Sequence, residues 1–162
     1  MTRWQCLTVS IATILAVSAR AAAPDAAGTS ESVTARADGK VTCATRGVAF
    51  DQLEQADGTT APFDVPAGKA FLLADAELQV EGTPGHSIYV ALESAPATSD
   101  KPLADKTGTV EDSGLLTKGF VFKDQVTVGS GGSVCVVAVD VTAGLRPVPV
   151  HGVLHGALAR VQ

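Results

Sequence analysis

From residue 40 onward, apolar and polar residues alternate almost one for one. In AFLLADAELQV (70–80), Ala70, Leu72, Ala74, Ala76, Leu78 and Val80 share one parity, while Asp75, Glu77 and Gln79 share the other. A period of two predicts a strand with one face buried. Ala, Leu and Glu are also good helix formers. The alternation, and the turn signal of Pro66 and Gly68 just before it, decide for a strand. HSIYVALES (86–94) sets Ile88, Val90 and Leu92 on one face. GFVFKDQVTV (119–128) aligns Phe120, Phe122, Val126 and Val128, with Asp124 as an interruption. SVCVVAVDV (133–141) is β-branched on both parities, which predicts cover on both faces. Short turns, GSGG (129–132) and TAGLRP (142–147), punctuate these last strands and predict an antiparallel meander. Between Pro96 and Leu116 the pattern fails, and a long charged surface loop is expected. The sum is an all-β chain: an antiparallel β-sandwich, jelly-roll-like, in a single domain.

The first residues follow another logic. MTRWQCLTVSIATILAVSARAAAP has a basic start at Arg3, an apolar run from Leu7 to Ser18, and small residues around Ala19 to Ala23. This is the pattern of a secretory signal peptide over residues 1–23, cleaved between about 19 and 23. The apolar run is shorter than the about 20 residues a membrane-spanning helix needs. Residues 24–39 are small and polar and are expected to form a flexible tail, with the sandwich spanning 40–162. Removal of residues 1–23 takes away Arg3 and Arg20 and no acid, so the net charge moves from −5 to −7. An acidic surface of this kind repels nucleic acid and has no electrostatic pull toward anionic membranes. The expected location is periplasmic or extracellular.

Export leaves two cysteines, Cys43 and Cys135. In an oxidising compartment a disulfide between them is expected in preference to two buried thiols. Closing so long a loop stabilises by about 4–5 kcal/mol in the chain-entropy model.

The closing stretch VPVHGVLHGALARV (148–161) carries His151 and His155. On a helix a four-residue spacing would bring both imidazoles to one metal. Pro147, Pro149, Gly152 and Gly156 oppose a helix. On a strand the two lie roughly 13 Å apart, too far for one zinc with bonds of about 2.0–2.1 Å. His151, His155 and His86 are therefore metal candidates only with a ligand from a neighbouring strand, and no metal or other cofactor is expected.

No G-x-S-x-G elbow occurs, and GSGGSV lacks the lysine and helix of a phosphate loop. Asp75 and Glu77 share a strand face, which a solvated surface explains without glycosidase chemistry. Asp100, Asp105, Glu111 and Asp112 crowd the 98–114 loop, a candidate ligand or calcium loop without EF-hand spacing. Sugar recognition favours flat aromatic platforms, yet beyond residue 23 there is no Trp and one Tyr, Tyr89.

VPAGKAFLLADAEL (65–78) resembles the strand after a V-P-A-G-K turn in uncharacterised secreted bacterial β-sandwich proteins. VHGVLHGAL (150–158) resembles their closing strand, without the aromatic residue that strand often bears. The resemblance spans about 62–160 and implies export and a sandwich, with no catalytic residue to carry over. The expectation is an exported, non-catalytic binding or assembly module whose partner is an unidentified protein or glycan of the envelope or medium. A subunit contact, and so a homo-oligomer, is expected at Val134 and Val136 unless the domain covers them itself. The alternatives are a calcium-assisted carbohydrate-binding module and, last, a hydrolase.

Overall fold

The computed structural model describes residues 31–39, 43, 47–55, 57–95 and 101–161. The expected leader at 1–23 and Asp100 lie outside them. The strands are β1 (Glu31–Ala37), β2 (Val48–Ala49), β3 (Gln52–Gln55), β4 (Thr60–Pro62), β5 (Lys69–Glu81), β6 (Ser87–Ala95), β7 (Ala104–Thr109), β8 (Leu115–Val128), β9 (Ser133–Asp140), β10 (Arg146–Pro147) and β11 (Val150–Arg160). One sheet runs β4-β3-β1-β11-β5-β8; the other runs β10-β9-β6-β7, with β2 paired to β9 beside β10. Every pairing is antiparallel.

Four of these pairs, β1–β11, β2–β9, β5–β8 and β6–β7, are the rungs of one folded-over ribbon. Rolling the ribbon adds β11–β5 in one sheet and β9–β6 in the other. The result is a jelly roll of eight strands, with β3, β4 and β10 as additions. Rolling also overturns the expected meander: β8 and β9 lie in different sheets, so the 129–132 turn crosses the sandwich. That turn is held by Gly132 N–H on the Gly129 carbonyl (3.0 Å) and Gly131 N–H on the Val65 carbonyl (3.1 Å).

The inner faces meet over Phe71, Leu78, Leu154 and Val150 from the first sheet and Ile88, Val90, Leu92, Val134 and Val136 from the second, with Phe50 between them. Each such side chain contributes about 1.5–3 kcal/mol on burial. Val134 and Val136 are fully buried here, so the expected subunit contact at these residues is core instead.

Three further sequence expectations change. Residues 31–37, expected in the polar tail, form β1 between β11 and β3, with Val33, Ala35 and Ala37 buried. The 96–116 stretch, expected as loop, contains β7 at the edge of the second sheet. In β5 the core parity switches at a bulge between Leu73 and Asp75. Phe71 and Leu73 face the core before it, and Ala76, Leu78 and Val80 after it. Leu72 is only half-buried and Ala74 is exposed. One extra residue suffices, because side chains alternate faces and a single insertion exchanges them. The Cys43–Cys135 disulfide is present, with its Cα atoms 6.1 Å apart, and it closes a separation of 92 residues.

Candidate functional site

The paired histidines owe their spacing to packing. On β11, Val150, Gly152, Leu154 and Leu158 are buried, and His151 and His155 are exposed on the opposite face. A Cβ at Gly152 would stand 3.1 Å from the Phe50 ring, and one at Gly156 would stand 2.7 Å from the Phe71 ring. The Leu78 side chain at Gly152 and the Leu72 carbonyl at Gly156 would stand closer still, so each glycine makes room for two neighbours, one of them a core phenylalanine. The histidines precede the glycines on the solvent side, and the repeat H-G-x-x-H-G follows.

Each histidine meets a different carboxylate. His155 Nδ1 lies 2.6 Å from Asp75 Oδ1 on β5, the residue opposite it in the ladder. His151 Nε2 lies 3.9 Å from Glu81 Oε1. His86, the candidate third ligand, stands before β6 in the other sheet, with Nδ1 2.7 Å from Asp140 Oδ2. Among the described residues, no group of three His, Cys, Asp or Glu could hold a metal ion.

The His86–Asp140 pair organises the 141–145 turn. Asp140 is buried, and its Oδ1 accepts the Ala143 N–H at 2.9 Å. The hydrogen bond with His86 holds this carboxyl below the usual carboxylate range. The Ala143 and Thr142 N–H groups and the charge of His86 act the same way, against desolvation. Leu145 closes the turn with its N–H on the Asp140 carbonyl (2.8 Å) and a φ of 62°, unusual for a branched residue.

The acidic candidates are spread out. Asp105 lies on β7, while Glu111 and Asp112 lie in the turn between β7 and β8. Six residues of near-extended chain put Asp105 roughly 20 Å from Glu111. Asp105 instead hydrogen-bonds Tyr89; burial first, then the Asp105 and Glu93 charges, push that phenol above its ordinary range. Asp75 and Glu77 stay on the solvent face of β5, where Glu77 borders a depression of about 400 Å³ with Thr34, Arg36, Glu54 and His155. The Arg36–Glu54 ion pair, at 2.7 Å, lies along that depression.

The chain matches no protein-family model and no curated protein.

What remains is a site that sequence patterning missed. β8, 14 residues long, is the outer strand of the first sheet, and β7 is the outer strand of the second. The turn at 110–114 joins them, and beyond it they part around a cleft of about 480 Å³. Leu103, Ala104, Phe120, Phe122 and Val126 give it an apolar wall, with Lys106, Lys123 and Asp124 among its polar residues. Lys106 crosses from β7, donates from Nζ to the Gly119 carbonyl, and stands 5.0 Å from the centre of the Phe120 ring. Val121 also borders the cleft and is 78% exposed.

Part of the β8 main chain faces outward along this edge. The Gly119 carbonyl receives Lys106 and the Leu115 carbonyl receives the Glu111 N–H, so the odd-numbered residues of 115–121 direct their peptide groups away from β5. Between Val121, opposite Asp75, and Val126, opposite Leu73, residues 122–125 take no register partner on β5. Residues 122–125 therefore bulge, and it is the outer edge over 115–121, beside an apolar cleft, that is placed to add a strand. Its signal in the sequence was the F-V-F-K-D-Q-V interruption, where the alternation slips without a turn residue.

Proposed function

We propose that this chain is an exported binding or assembly module that acts by recognition along the β7–β8 edge, without turnover. The observation that carries the reading is the outer edge of β8 over residues 115–121, where outward peptide groups, an apolar cleft and the exposed Val121 coincide. Strand addition at such an edge draws affinity from main-chain hydrogen bonds and selectivity from the pockets beside them. Export is supported by the leader pattern and by the disulfide, which persists in oxidising compartments. Among the described residues no helix is long and apolar enough to cross a membrane.

A photo-crosslinking residue placed at Val121 or Lys123, in the producing cell, tests the reading. Covalent products with a macromolecule are expected from these positions and not from Gln52, an exposed position on β3. Products from Gln52 alone, or none from any of the three, would overturn it.

A further inference from the structure

We infer that the partner taken up along the β7–β8 edge is a short extended peptide that sets a carboxylate opposite Lys118 and a large apolar side chain opposite Phe120. This rests on the reading of that edge as the recognition surface and names the chemistry of its occupant.

The inference starts from a lysine aimed between the sheets. Leu116, Lys118 and Phe120 share one face of β8; Leu116 and Phe120 are buried, and Lys118 stands opposite the buried Leu78 in the ladder. Lys118 is half-buried, and its ammonium lies over Gly108 of β7 in the other sheet. A Cβ on Gly108 would overlap that ammonium, so the glycine clears a notch for the cation. Among the described residues no carboxylate pairs with Lys118 or Lys123. Of the two acids along the cleft, Asp105 is hydrogen-bonded to Tyr89 and Asp124 lies in the bulge at 122–125. A chain with a net charge of −5 thus places Lys106, Lys118 and Lys123, half of its six lysines, along one edge. Cations held there without counter-charges complement an acidic partner.

Strand geometry fixes the spacing of the partner's side chains. Its inward residues stand opposite Leu116, Lys118 and Phe120, and the residues between them face away. Its main chain bonds the outward peptide groups of Thr117, Gly119 and Val121. The Glu111 N–H closes the site at the Leu115 carbonyl, and the bulge closes it beyond Val121, so the segment is short. Within it the carboxylate and the apolar group fall two residues apart, the apolar one beside the wall of Leu103, Ala104 and Phe120. Lys106 holds the Gly119 carbonyl as a lysine that blunts a free edge, and a partner N–H replaces it there.

Fluorescence anisotropy with two labelled synthetic peptides tests this on the purified protein. One is Thr-Phe-Thr-Asp-Thr-Phe-Thr, whose Phe, Asp and Phe share a face in either chain direction; the other carries Lys in place of Asp. The acidic peptide is expected to bind about fivefold or more tighter at low salt, a preference that shrinks as salt screens it. Lys118→Glu is expected to reverse the preference. Lys118→Met, which keeps an apolar stem between the sheets, is expected to abolish it. Equal binding of the two peptides, binding of neither, or a preference that survives Lys118→Met each overturn the inference. If crosslinks form at Val121 in the cell while the acidic peptide is not preferred, the edge remains the recognition surface and only the stated chemistry of its occupant is wrong.

Discussion

At the scale of single residues, β11 shows how one chemical pattern disguises another. His151 and His155 were legible as surface residues, because parity alone places them opposite Val150, Leu154 and Leu158. The reason for Gly152 and Gly156 was not legible, since it depends on Phe50 and Phe71 arriving from elsewhere in the chain. Gly156→Ala is expected to destabilise by about 1–3 kcal/mol through overpacking, read by chemical denaturation. His155→Ala removes only an exposed contact with Asp75 and is expected to cost about 1 kcal/mol or less. Asp140 behaves differently, because its carboxyl is held below the ordinary range in the folded state. Its contribution is present in full above the unfolded carboxylate pKa and is lost as pH falls through the depressed folded value. Stability curves of the unaltered protein and of Asp140→Asn are therefore expected to stand apart at neutral pH and to converge in strong acid.

At the scale of elements, the period of two found β5, β6, β8, β9 and β11, whose apolar residues are large. It missed β1, where Ala35 and Ala37 give little hydrophobic signal, and β7, an edge strand polar on both faces. It also assigned Leu72 to the core, because no sequence period anticipates the bulge at Ala74. The cleft was invisible for a related reason: it arises where two strands from different sheets diverge, and neither strand records the other. Lys106 links them. Lys106→Ala is expected to cost about 0.5–1 kcal/mol from its exposed cation–π contact. It also frees the Gly119 carbonyl, so crosslinking from Val121 in the producing cell is expected to rise.

At the scale of the whole molecule, the fold class and the disulfide were legible, and the jelly-roll rungs explain why the expected meander was not. Turns such as 129–132 look alike in sequence whether they join neighbours or cross between sheets; only the register of β11 between β1 and β5 separates the two. Cys43–Cys135 ties Cys43, which precedes β2, to β9, across 92 residues. Its reduction is expected to lower stability by about 3–5 kcal/mol, seen as a fall in the urea midpoint with added reductant.

The most direct measurement of the proposed edge is site-resolved amide exchange along β8, in the purified protein and after addition of native extract. Leu116, Lys118 and Phe120, directed toward β5, are expected to be protected throughout. Thr117, Gly119 and Val121 are expected to exchange fast in the purified protein and to become protected in the extract. Outward amides that stay fast in the extract, or that are already protected in the purified protein, would contradict the account.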